Sequence, residues 1–455
     1  MEYSYTNIKA VLGHELAQKR EEGCDVQEFE DELAHLTRSF GEEEWKKTSE
    51  ISREIPKEKL ENIYNKLTSL DSKMEDKEPS NLEEIIEKSP AKKSEVSVKK
   101  SELKDRIYGA WLGRCAGCLL GKPVEGFGGS NGKEKIEEYL KEVGEYPLRN
   151  YFPEIETEEF KIHPYNEEAL RGNITHMPRD DDIDYPILNL NVLESSGKDF
   201  KSGDIAEFWL KNLPFKRVYT AERAAYKNLV SGISPLKSGR HFNPYREWIG
   251  AQIRGDVFGW VNPGKPEQAA RMAYRDSILS HRKNGVYGEM FVAAALAAAM
   301  GLNAEDIDRV IDAGLSVIPQ KSRLAEAIRN TVDWAREDKD WKETYDKVIE
   351  HYGQYHGVHT INNAAIVVLS LIHGEKDYEK SICTAVMCGH DTDCNGATVG
   401  SIVGALKGAE TLPKKWIDPL DDRVESIVIG DTENKISDLA KRTLQIAQEG
   451  YPFGA

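Results

Sequence analysis

The sequence predicts an all-α fold, an orthogonal multi-helix bundle preceded by a small helical extension. Three observations point to it. Apolar residues recur at helical spacing, beginning with Ile8, Val11, Leu12 and Leu16. Strand signals are scarce, and VESIVIG (424–430) is the best of them. Two apolar segments carry glycine at every fourth position: Gly109, Gly113, Gly117 and Gly121, then Gly396, Gly400, Gly404 and Gly408. Each glycine costs a helix roughly 1 kcal/mol relative to Ala. A four-residue period puts all of them on one face. The stripes therefore predict two helices pressed together, glycine face to glycine face.

The bulk properties bound the function. At 455 residues, with 39% hydrophobic and 31% charged residues, the chain can bury a large core under a polar surface. A formal net charge of −17 argues against nonspecific nucleic-acid binding. The longest apolar run, 290–302, is too short for a bilayer span, so no membrane partner is expected. The first residues are polar, and no signal peptide is expected. The six cysteines are few, and most lie in apolar or glycine-rich helical stretches, which suits a reduced, cytoplasmic protein.

In chain order, residues 1–75 read as a helical N-terminal extension. Gly23 is the expected C-cap of its first helix. Phe29, Leu33 and Leu36 stripe a second helix, and Leu60, Ile63, Leu67 and Leu70 a third. The extension reads either as a partner-binding module or as packing on the main domain. Residues 76–100 are charged and Ser/Pro-punctuated, a linker with a short helix at NLEEIIEK. Residues 101–455 form the main domain. Its first glycine stripe ends at Gly121, Lys122 and Pro123, just before Glu125. An irregular aromatic stretch, 131–176, leads to Asp180, Asp181, Asp182 and Asp184. These acids open an apolar helix with Pro186 expected in its first turn. Helices are expected near 304–315, 322–337, 341–352 and 360–373, and the second glycine stripe follows Asp391 and Asp393.

Both acidic clusters open apolar helices rather than lie in polar loops, and the helix macrodipole there favours ionised carboxylates. If they converge, the charges repel; two of them about 4 Å apart cost roughly 4 kcal/mol at an effective dielectric near 20. A divalent cation removes that repulsion, and oxygen ligands without a histidine cluster favour Mg²⁺, Mn²⁺ or Ca²⁺ over zinc. DTDCNG imitates the start of an EF-hand loop, but Ile402 replaces the closing glutamate. A doubly wound phosphotransferase would need strands that are not there. The Cys115–Cys118 pair lacks a matching second pair and reads as two small buried thiols.

Four stretches in this order, DRIYGAWLGRCAGCLLGKPVEG, DDDIDYPILNL, RDSILSHRKNGVYGEMFVAAALAAAM and GHDTDCNGATVGSIVGALKG, resemble the ADP-ribosylglycohydrolase family. The resemblance runs from about Ser101 to the C-terminus. It implies an all-α hydrolase with a dinuclear Mg²⁺ or Mn²⁺ centre. Asp181 and Asp182 match the central acids of the family's Thr-Asp-Asp-Thr motif. Asp180 stands for its leading Thr and Ile183 for its trailing Thr. Asp391 and Asp393 match its Asp-x-Asp, with Cys394 in the hydroxyl position that follows. The implied metal set is Asp180, Asp181, Asp182, Asp391, Asp393 and Cys394. Asp181, Asp182 and Glu125 are the implied catalytic carboxylates. His281 matches a histidine lining the ADP-ribose pocket. Glu125, Gln252, Arg254, Asp256, Asn284 and Tyr287 complete the expected substrate contacts. The expected reaction is metal-dependent hydrolysis of a ribosyl glycosidic bond in an ADP-ribose-type substrate. The alternatives are hydrolysis of another nucleoside or glycoside, and a non-catalytic ADP-ribose or nucleotide binder.

Overall fold

The computed structural model describes residues 4–39, 55–90, 95–127, 132–154, 160 and 162–449. The fold is all-α. Among these residues the strands are one short antiparallel pair, Arg423–Glu425 with Glu433–Lys435. The expected strand at 424–430 thus shrinks to its first residues; after Glu425 the chain turns through 427–430. Most helices fall where periodicity and caps predict them; the exception is Gly132–Glu142, which opens the stretch read as irregular and buries Ile136, Tyr139 and Leu140. Asn81, Ser322, Asp340 and Asp377 each accept backbone N–H bonds at a helix start. Gly23, at φ +78°, closes the Ile8–Glu21 helix.

The two glycine-striped helices, Lys100–Gly121 and Thr392–Lys407, form the centre. They run antiparallel in direct backbone contact. A Cβ on Gly113 would lie 2.2 Å from the carbonyl oxygen of Gly400, and one on Gly117 would lie 2.0 Å from that of Gly396. Gly109 meets Gly404, and Gly121 meets Thr392. No side chain fits between them, so the helix-propensity cost of the glycines is offset by packing. The antiparallel sense sets the end of the first helix, with Lys122 and Glu125, beside the start of the second, with Asp391 and Asp393. The Asn284–Ala299 helix is buried along its whole length.

Among the described residues the extension has three α-helices, Ile8–Glu21, Gln27–Ser39 and Lys57–Thr68, with a core of Val11, Leu12, Leu16, Leu33, Leu60, Ile63 and Leu67. It docks on the main body through buried charge. Arg246 forks onto Glu15 at 2.8 and 2.9 Å and reaches Glu22 at 2.8 Å. Lys283 meets Glu22 at 3.0 Å, and Gln18 donates to Glu247 at 2.6 Å. The stretch read as a linker is packed as well. Residues 91–94 lie outside the described residues, but Glu78 is fully buried against Arg323 at 2.7 Å. Ile85, on the expected short helix (Leu82–Lys88), joins the main core, and the Val96 amide donates to the Gly264 carbonyl. A free linker would leave these groups in water; here the burial of Ile85 and the pairing of Glu78 hold the segment down. No helix among the described residues is long and apolar enough to cross a membrane.

Candidate functional site

Two helix N-termini meet at the floor of a cleft of about 800 Å³. The Asp181–Ser196 helix starts at Asp180, whose carboxylate accepts from the Asp182 amide at 3.0 Å. Pro186 is the sixth residue of this helix, past the first turn in which it was expected. Having no N–H, it leaves the Asp182 carbonyl free. The Arg114 Nε takes that carbonyl at 2.8 Å while the same guanidinium reaches the Asp182 carboxylate at 3.1 Å. The second helix is entered through Gly389 and His390, both at positive φ (69° and 62°). This tight turn delivers Asp391 to the N-cap, and the Asp391 amide donates to Asn363 Oδ1 at 3.2 Å.

The cleft is lined by Glu125, Asp180, Asp181, Asp182, Asp391, Asp393 and Cys394. The structure therefore brings together every carboxylate expected at the metals. Potential ligand atoms of Asp182, Asp393 and Cys394 lie within 4.8 Å of one another, as do those of Cys118, Asp180 and Asp182. Asp182 belongs to both sets. Ile183, in the family's hydroxyl position, is wholly buried instead.

The cations nearby are too few for the acids. Lys122 pairs with Asp180 at 2.6 Å, Arg114 with Asp182, and Arg179 with Asp184 at 2.6 Å. Burial alone would raise Asp180, but the Lys122 ammonium holds its carboxyl below the usual range. The others go up. Burial and then Asp393 push Asp391 well above the usual carboxylate range, and burial and then Asp180 push Asp393 to about 7. Asp182 is raised well above by burial in spite of Arg114, and Glu125 by Asp393 first and burial second. Burial and three neighbouring aspartates raise the Cys394 thiol, which hydrogen-bonds to Asp391. Asp393 Oδ1 is buried without a hydrogen-bond partner. A buried oxygen with no donor, in a set of mutually repelling carboxylates, is what a divalent cation satisfies. The residues present fit one.

The expected substrate set divides. Glu125 lines the cleft; Gln252, Arg254, Asp256, His281, Asn284 and Tyr287 do not. All six are fully buried and bear on the scaffold. Asp256 pairs with Arg114 at 2.9 Å and so braces Asp182 from behind. Arg254 is caged by Asp276 at 2.5 Å, by Glu222 and by Ser280 Oγ at 3.1 Å. His281 Nδ1 faces Ser280 Oγ at 2.8 Å, and burial holds its pKa well below the usual value. Asn284 donates to Glu247, Tyr287 donates to the Pro79 carbonyl, and the side-chain nitrogen and oxygen of Gln252 have no hydrogen-bond partner. The stretch 249–260 folds into two short helices, Ile249–Arg254 and Asp256–Trp260, and only Ile249, Gly250 and Ile253 of it reach the cleft lining.

Several cleft residues escaped the sequence reading: Lys122, Arg179, Glu222, Tyr219, Trp248, His356 and, from the extension, Tyr5 and His14. Glu222 packs against Gly250, where a Cβ would lie 2.4 Å from its carboxylate, a contact between residues 28 apart that the sequence does not announce. Burial raises that carboxyl to about 7. Cys118, read from the sequence as a small buried thiol, is buried with its Sγ near the Asp180 and Asp182 carboxylates.

A family model described as ADP-ribosylglycohydrolase matches residues 99–452. An uncharacterized protein of Archaeoglobus fulgidus is 24% identical over 324 residues, 70% of this chain and 93% of that protein. A solved structure described as an "ADP-ribosylglycohydrolase-related protein complex" superposes with a TM-score of 0.51 at 18% identity, covering 76% of this chain and 99% of that one. That likeness extends to the fold.

Proposed function

The chain belongs to the ADP-ribosylglycohydrolase family of glycosidic-bond hydrolases, and we propose that it cleaves a ribosyl glycosidic bond in an ADP-ribose-type substrate with the help of two divalent cations, Mg²⁺ or Mn²⁺. The observation that carries this reading is the meeting of Asp180, Asp181 and Asp182 with Asp391 and Asp393 across the antiparallel helix pair. Those five carboxylates would hold the cations, with Cys394 beside them. When bound, the cations supply charge compensation and Lewis acidity toward ribose hydroxyls and water.

The protein's own groups do the rest. Lys122, within the cleft, and Arg114, buried behind it, hold Asp180 and Asp182 in place. Glu125 opens to the cleft beside Asp393, whose charge raises its carboxyl; once bound cations offset that charge, Glu125 would be the general base that takes the proton of the attacking water. The carboxylate cluster stabilises positive charge developing on the ribose ring as the bond to the leaving group opens.

The test is turnover. Purified protein with Mg²⁺ is assayed against ADP-ribosyl-arginine, ADP-ribosyl-serine and a panel of nucleosides, with an EDTA control. Hydrolysis of an ADP-ribosyl bond that EDTA abolishes is expected. Turnover confined to nucleosides, or turnover indifferent to EDTA, contradicts the proposal.

A further inference from the structure

The family match begins at residue 99, yet two residues far ahead of it line the cleft: Tyr5 and His14. Their placement follows from the Ile8–Glu21 helix. One face, with Val11, Leu12 and Leu16, packs in the extension's own core. A second face, with Glu15, Gln18 and Glu22, is clamped by Arg246, Glu247 and Lys283. His14 lies next to Gln18 at the outer edge of the second face, away from Leu12 and Leu16, and lines the cleft. There it meets Trp248 edge-on at 5.3 Å and Tyr245 at 5.1 Å, while Trp248 stacks on His356 at 4.1 Å. Tyr5 packs edge-on against Tyr245 at 5.8 Å, and its phenol lies within the field of Glu125 and Asp181. Burial lowers both imidazoles, His14 to about 4, so these rings are neutral at pH 7. The cleft thus has a carboxylate floor and an uncharged aromatic side wall, and part of the wall belongs to the extension.

We propose that the N-terminal extension is a specificity-determining wall of the active-site cleft, in which His14, with Trp248 and His356, stacks a planar heteroaromatic group of the substrate such as a nucleobase. This rests on the reading of the substrate as nucleotide-linked. A neutral ring set presents π-faces that accept any base. Because the buried ion pairs fix the helix that carries His14, the wall is built before substrate arrives.

Calorimetric titration with two probes separates the wall from the floor. AMP carries a base, and ribose 5-phosphate is the same sugar phosphate without one. In His14→Ala, AMP affinity is expected to fall roughly tenfold and ribose 5-phosphate affinity to hold, while His14→Phe binds AMP within about twofold of the parent protein. His14 is only half-buried, so an unchanged melting temperature is expected and checked alongside. Unaltered AMP binding in His14→Ala, an equal loss for both probes, or no AMP binding by the parent protein overturns the wall. If no ADP-ribosyl bond is hydrolysed but AMP binding still depends on His14, the wall stands and the proposed activity falls. If hydrolysis proceeds and AMP binding ignores His14, the wall alone falls.

Discussion

Two groups of carboxylates drawn away from bulk water, one of glutamates and one mostly of aspartates, behave in opposite ways. At the docking face of the extension, Glu15, Glu22, Glu78 and Glu247 are met by Arg246, Lys283 and Arg323 at hydrogen-bonding distance. Burial would raise Glu22, yet Arg246 and Lys283 hold its carboxyl well below the usual range. On the cleft floor, Asp182, Asp391, Asp393 and Glu125 are all raised. The first group is charge-matched and closed, and it joins two parts of the fold. The second is short of positive charge and opens to the cleft. Burial is common to both; the balance of counter-charge decides which one waits for a ligand.

The comparison breaks most visibly at Asp391. In Asp391→Asn, turnover is expected to fall by about a thousandfold or more, while the melting temperature of the EDTA-treated protein rises, because a neutral amide replaces a carboxyl whose ionisation burial and Asp393 suppress at a cost to folding. At the docking face the same kind of change has the other sign: Glu22→Gln lowers the melting temperature. A fall in both variants would mean that the floor is as well compensated as the face.

Arg246→Met is the next largest effect. It leaves Glu15 and Glu22 buried without their guanidinium and is expected to cost about 3–5 kcal/mol in denaturant unfolding. A loss close to zero would show that the extension does not depend on these pairs.

The smallest effect is a pH slope. Glu21 lies 3.6 Å from His359 Nε2, and burial and then Glu247 push its carboxyl to about 8. The folded state therefore binds this proton more tightly than the unfolded chain does, so its contribution weakens as pH rises from about 4.5 towards 8. Melting temperature measured across that range is expected to decline less in Glu21→Gln than in the parent protein. Parallel curves would remove Glu21 from the account.

Much of this was legible in the residues. The glycine periods required two backbones in contact, and Gly113 against Gly400 supplies that contact. The acids at Asp180–Asp182 and Asp391–Asp393 stood at the starts of apolar helices, where the structure has them. The antiparallel sense was not legible, because a four-residue period is the same in both directions. The docking of the extension was not legible either: the partners that bury Glu15, Glu22 and Glu78, Arg246 and Arg323, lie far along the chain. Arg254 and Asp256 were expected at the substrate because their stretch sits where the resembled family carries a glycine-rich substrate loop, and nothing in it shows that their charges are met from within, by Asp276, Glu222 and Arg114.

The central claim is that the two helix N-termini form one split cation site. Crystals soaked in Mn²⁺ test it directly by anomalous diffraction. Two peaks are expected, bounded by Asp180, Asp181 and Asp182 on one side and Asp391 and Asp393 on the other, and both should vanish in Asp391→Asn. Peaks elsewhere, or peaks that persist in that variant, would contradict it.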